Sequence, residues 1–140
     1  MKQKIHIITL GVQRLGKTLA FYEEGLGWKR SEASKEKIVF FETGGIVIAF
    51  FDKSELAKDA NVADGVCEFS GITMAYNSKS EGEVDEVMKK VEGLGATIIK
   101  PAEKTFWGGY GGYFKDLDGH IFEVAYNPFV EFDENDQIIL

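Results

Sequence analysis

"FWGGYGGYFKDLDGHIFEVAYNP", residues 106–128, decides how this chain is to be read. Aromatic residues and glycines crowd together over 106–113, and an Asp-Gly pair at 118–119 marks a hairpin turn. The strand that follows carries one carboxylate, Glu123, in an otherwise apolar run. A buried charge without a partner is costly, so Glu123 requires something to face.

Working outward from that stretch, "GITMAYN" reads as a strand and "SEGEVDEVMKKVEGLG" as a helix with Val84, Val87, Met88 and Val91 on one face. "ATIIKPA", "GGYFKD" and "HIFEVAYN" add three strands. The first half of the chain has the same order. "KIHIITLGV" is a strand, and "QRLGKTLAFYEEGLGW" repeats Leu15, Leu19 and Tyr22 at helical spacing until Gly25 breaks the pattern. Extended runs follow around Trp28 to Ala33, in "KIVFFE" and in "GIVIAFF". Between the halves, "DKSELAKDANVADG" is a polar connection with one short helix, for which Ser54 is the expected N-cap.

Local sequence repeats as well. "EGLGW" at 24–28 recurs as "EGLGA" at 92–96, and "TGGIVIAFF" at 43–51 parallels "LDGHIFEVA" at 117–125. Aligning Gly45 with Gly119 pairs Ala49 with Glu123. The expected architecture is therefore α+β: one domain of two pseudo-symmetric βαβββ modules, since neither buries a sheet face alone. Module one spans about 4–52, a linker 53–69, module two 70–128 and a tail 129–140, with a second turn at Glu134-Asn135-Asp136.

Composition bounds the function. The 140 residues are 44% hydrophobic and 28% charged, with a formal net charge of -7. Such a surface repels phosphate backbones, which argues against a nucleic-acid partner. A single cysteine, Cys67, permits no intrachain disulfide and reads as a buried or idle thiol. The apolar N-terminal run is too short for a signal-peptide core, and no segment has the length of a bilayer span. A cytoplasmic protein with no membrane partner is expected. Arg14 and Lys17, at the start of the first helix, read as solvated, with Arg14 able to reach a ligand carboxylate.

The paired motifs "ITLGVQRLGKTLAFYEEGLGW" and "GGYFKDLDGHIFEVAYNP" resemble the vicinal oxygen chelate superfamily, which groups glyoxalase I, bleomycin-resistance proteins, fosfomycin-resistance enzymes and extradiol dioxygenases. Leu117 stands where that family usually has proline. The resemblance implies sheets curled around a cavity, a small-molecule ligand and a homodimer. In metal-using members it also implies a divalent ion, held by a histidine near the start of each module's first strand and a carboxylate on the last strand.

Glu123 occupies the carboxylate position that this resemblance implies. The first-strand position falls on Ile7, one residue away from His6, and strand alternation turns His6 to the opposite face with Ile8 and Leu10. The second falls on Gly71 or Ile72, and the position paired with Glu123 by the repeat is Ala49. His120, three residues from Glu123, points the other way. A borderline divalent ion needs at least three protein donors, so no cofactor is expected. A metal-dependent lactoylglutathione-lyase-like lyase or dioxygenase is the alternative, and a non-catalytic drug-sequestering dimer another. Glu123 is the expected catalytic base or polar anchor, with Thr9 and Thr73 as neighbouring hydroxyls. Trp107, Tyr110, Tyr113 and Phe50 are the expected ligand contacts, the aromatics forming a wall or lid and the glycines among them permitting movement or close backbone approach.

Overall fold

The computed structural model describes residue 1, residues 5–65 and residues 69–139. Cys67 lies outside the described residues. The chain divides into two compact units, Met1–Glu68 and Phe69–Leu140, each built on its own sheet.

In the first unit, β1 (Ile7–Val12) leads into α1 (Leu15–Leu19), which widens to a π-helical turn over Ala20–Gly25. Then come β2 (Ile38–Glu42), β3 (Val47–Asp52) and α2 (Lys53–Asp59). The sheet order is β1-β3-β2, parallel between β1 and β3 and antiparallel between β3 and β2. A parallel pair needs a long crossover, and the one here contains α1. One face of this sheet carries the aromatic core. The Tyr22 ring lies 4.5 Å from Phe50 and 4.8 Å from Trp28, and Phe41 lies 5.8 Å from Phe50.

Two local expectations need correction. The segment around Trp28 to Ala33 forms no strand; Arg30 makes only an isolated bridge to Phe41. The Ser31 and Lys35 N–H groups donate to the Phe40 and Ile38 carbonyls, and side chains add to these bonds: Ser34 Oγ accepts the Phe40 N–H at 2.9 Å, and Arg30 is clamped by both oxygens of Glu23 at 2.6 and 2.7 Å. The N-cap of α2 is Asp52 rather than Ser54. Asp52 Oδ1 accepts the N–H groups of Ser54 and Glu55, and also takes the Ser54 hydroxyl proton at 2.6 Å, so the serine supports the cap from inside the helix.

The second unit runs β4 (Met74–Ser78), α3 (Glu81–Gly93), β5 (Thr97–Lys104), β6 (Tyr110–Lys115) and β7 (Ile121–Tyr126). A small hairpin of β8 (Glu131–Phe132) and β9 (Ile138–Ile139) follows. The sheet order is β4-β7-β6-β5. Ser80 caps α3 by accepting the Glu83 N–H, while the Glu83 carboxylate takes the Lys79 N–H. The apolar stripe of α3, Val84, Met88 and Val91, is buried. Phe114 and Phe122 stack at 5.1 Å, and β-carbon placement at Gly112 would strike Met88 Cε, which identifies the sheet face that α3 covers.

The internal repeat is visible in the backbone. Gly27 and Gly95 end their helices with φ of +81° and +94°, and Gly45 and Gly119 open their last strands with φ of +85° and +91°. Those are left-handed conformations that glycine adopts without strain. Register agrees: Ala49 stands between Thr9 and Phe40, as Glu123 stands between Ala75 and Tyr113.

Candidate functional site

Side chains alternate along a strand. With Phe122 and Val124 turned to α3, Glu123 emerges on the opposite face of the second unit's sheet, where it is half-buried. Tyr113 is its direct cross-strand partner on β6, and Ala75 its partner on β4. Lys100 continues the same row onto β5, where its ammonium lies 3.2 Å from Glu103. The next row along this face is Asn77, Ala125, Gly111 and Glu103.

The turn between β5 and β6 delivers Trp107 to this face too. A β-carbon on Gly109 would meet the Trp107 ring at 1.9 Å and the Tyr126 carbonyl at 2.7 Å; one on Gly111 would meet the Val124 carbonyl at 2.8 Å. The matched geometry puts Gly109 and Gly111 on one side, away from Met88, with the indole folded over Gly109. This turn is tied rather than loose. Thr105 N–H donates to the Gly109 carbonyl, Gly108 N–H to the Thr105 carbonyl, and Gly109 N–H to Thr105 Oγ1. The glycines here permit close backbone approach.

Other expected contacts fall elsewhere. Tyr110 lies on the α3 side: its hydroxyl donates to Asp85 Oδ1 at 2.7 Å, and that bond, then burial, hold its phenol above the ordinary tyrosine range. Phe50 is fully buried against Tyr22 in the core of the first unit and presents nothing to a ligand. The reason is register, because Phe50 pairs with Leu10 and Val39 on the α1 side while Ala49 takes the opposite side. Thr9, half-buried, pairs with Ala49 on that opposite side. Thr73 precedes β4 and is exposed. His6, also exposed, precedes β1 with the parity of Ile8 and Leu10.

Residue types alone miss the partner of Glu123, although the turn encodes it. Residues 113 and 123 are equidistant from Asp118 at the turn, and every β6–β7 pair keeps that symmetry. Burial first, then the Glu123 carboxylate on the paired strand, holds the Tyr113 phenol above its usual range. The turn itself is locked by Asp116, a buried carboxylate that accepts the N–H groups of Asp118 and His120 and contacts His120 Nδ1 at 2.9 Å.

A divalent ion does not fit these donors. Around Glu123 stand a methyl, a phenol and an ion-paired lysine, and among the described residues no three His, Cys, Asp or Glu side chains gather where they could hold a metal. Among the described residues, also, no helix is long and apolar enough to cross a membrane.

Comparison with known proteins agrees with this architecture. A profile of the Glyoxalase/Bleomycin resistance protein/Dioxygenase superfamily matches residues 4–124. The fosfomycin resistance protein FosX of Listeria monocytogenes is 30% identical over 125 residues, covering 84% of each chain. A glyoxalase-related enzyme from Fulvimarina pelagi is 32% identical with a TM-score of 0.89, covering 99% of this chain and 98% of that one. A lactoylglutathione lyase from Agrobacterium tumefaciens, 24% identical with a TM-score of 0.68 over 91% and 96% of the two chains, shares the fold.

Proposed function

Because this chain belongs to the glyoxalase/bleomycin resistance protein/dioxygenase superfamily, we propose that it binds a small molecule on the face of its second unit's sheet away from α3, with Glu123 as the polar anchor. Where the bound molecule is transformed, Glu123 is the base, and no metal ion takes part. The observation that carries this reading is the setting of Glu123: a half-buried carboxylate, paired with a phenol, on the face to which Trp107 also turns. A carboxylate so placed accepts a proton or a hydrogen bond from a ligand without first being stripped from an ion. The name of the FosX relative makes fosfomycin the first compound to test, and the lyase neighbour adds thiol conjugates of glutathione.

The same reading includes a cytoplasmic homodimer. The exposed apolar side chain of Ile7 on edge strand β1 supports it, and sedimentation of the purified chain measures it.

The test is a thermal-shift screen with fosfomycin, glutathione conjugates and bleomycin, since any ligand of the native state raises the melting temperature. A hit is expected to bind Glu123→Ala at least about tenfold more weakly, the loss of one hydrogen bond to a charged group, while the far-UV spectrum stays unchanged. It is also expected to shift the Trp107 emission, a response that Trp107→Phe removes. Equal affinity in Glu123→Ala would reduce the carboxylate to a passive part of the sheet.

A further inference from the structure

The turn between β6 and β7 holds a carboxylate and an imidazole that the site around Glu123 does not use. The Asp116 side chain is 1% exposed and that of His120 18% exposed. Asp116 Oδ1 accepts the N–H groups of Asp118 at 3.0 Å and of His120 at 2.8 Å, and Oδ2 lies 2.9 Å from His120 Nδ1. The backbone closes around them, with Asp116 N–H donating to the His120 carbonyl and Gly119 N–H to the Asp116 carbonyl. A carboxylate so far from water is costly unless hydrogen bonds and a positive charge compensate it. The two N–H groups supply the first, and an imidazole protonated on both nitrogens supplies the second.

The charged groups about the turn are compatible with a cation at His120. Asp118 adds a second carboxylate within the turn itself. Lys115 alternates to the opposite face with Tyr113, and its partner on β5, Thr97, is uncharged. The turn rests on the end of α3, where a β-carbon on Gly95 would meet Leu117 Cδ2 at 3.5 Å. The charged residues at that end of the helix, Lys89, Lys90 and Glu92, are exposed to water, where their fields are screened.

We propose that His120 is held as the imidazolium counter-charge of Asp116, and that the pair is a pH-operated latch on the β6–β7 turn. The latch stands apart from the reading of Glu123 as an anchor, yet it bears on that residue. The ladder is symmetric about Asp118, so a closed turn fixes the register that sets Glu123 opposite Tyr113. The folded state holds the His120 proton more tightly than the unfolded chain, where histidine titrates at about 6.5. The stability so gained is complete below that pH and is lost as the pH rises through the folded midpoint. Beyond it the buried pair carries a net negative charge, and the turn loosens.

The experiment uses the full chain and needs no ligand. Protein labelled with 15N is titrated by NMR from about pH 5 to about pH 9, a range that brackets the ordinary histidine value. The chain has two histidines, so the imidazole signals that survive in His6→Ala belong to His120. The His120 midpoint is expected above about 6.5, and the Asp118 amide signal is expected to move with it. A midpoint at or below that value overturns the inference, and so does an Asp118 amide that ignores the titration. His120→Asn keeps a side-chain N–H for Asp116 but cannot titrate. The fall in melting temperature through the same window is expected to vanish in this variant; a fall as steep as in the parent overturns the latch. A failed ligand screen changes none of these outcomes.

Discussion

Phe50 and Phe51 are adjacent, so alternation sends them to opposite faces of β3, and nothing in the dipeptide says which face is which. The neighbours decide. Phe50 shares its row with Leu10 and Val39 and meets the Tyr22 ring, whereas Phe51 pairs with Gly11 and Ile38 and stays half-buried. Truncating a fully buried aromatic ring removes its transfer energy and leaves a cavity. Phe50→Ala is accordingly expected to lose about 3–5 kcal/mol in urea denaturation, and Phe51→Ala clearly less. Equal losses would mean that the face assignment is wrong. Glu123 presents the same parity problem with the opposite outcome. Its register is readable from the Asp-Gly turn, by counting across that turn to Tyr113, but its face is set by the packing of α3 on the other side.

At the scale of elements, α3 is joined to β4 by more than its apolar stripe. The Tyr76 hydroxyl donates to Glu83 Oε1 at 2.6 Å, and the Glu83 carboxylate also takes the Lys79 N–H at the start of the helix. That hydrogen bond first, then burial and the nearby charges of Glu83 and Asp136, push the Tyr76 phenol up to about 12. The folded state thus holds this proton more tightly than the unfolded chain, whose tyrosine titrates at about 10. The contribution to stability is complete below pH 10 and is lost as the pH rises from 10 towards 12. Tyr76→Phe should flatten the decline of the denaturation midpoint across that window; a decline as steep as in the parent would place its cause elsewhere. The β8–β9 hairpin adds to the same corner, where Lys79 pairs with Asp136 and lies over the Phe132 ring. The glycines that close both helices and most strands were legible because each depends on short-range chemistry, a left-handed position or alternation in a strand, whereas the α2 cap passed from the expected Ser54 to Asp52. The failed strand near Arg30 depended on Ser34 and Glu23, side chains whose bonding partners no propensity reveals.

At the scale of the whole molecule, the repeat has been kept in backbone and lost in chemistry. Ala49 and Glu123 occupy equivalent register positions, and so do Phe40 and Tyr113, yet only the second unit carries the acid and the phenol. The lack of an assembled donor set among the described residues has a measurable consequence. A metal bound at 100 times its dissociation constant would add about 2.7 kcal/mol to stability. Zn²⁺, Ni²⁺ and Mn²⁺ are each expected to leave the melting temperature where a chelator leaves it. A stoichiometric ion whose removal lowers that temperature would show that the ligand count is incomplete.

Sequence alone determined the α+β class, the repeat and the parity of Glu123 and His6, because these follow from periodicity and from residue types at fixed spacing; the family entered as a resemblance of two motifs, which the profile over residues 4–124 bears out. Tertiary structure alone decided which sheet face each helix covers. From that followed the burial of Phe50, the turning of Tyr110 to Asp85 and the meeting of Tyr113 with Glu123. The physical reason is that alternation divides a strand into two sets of side chains but is symmetric between them. Only the packing of α1 on one sheet and α3 on the other breaks that symmetry.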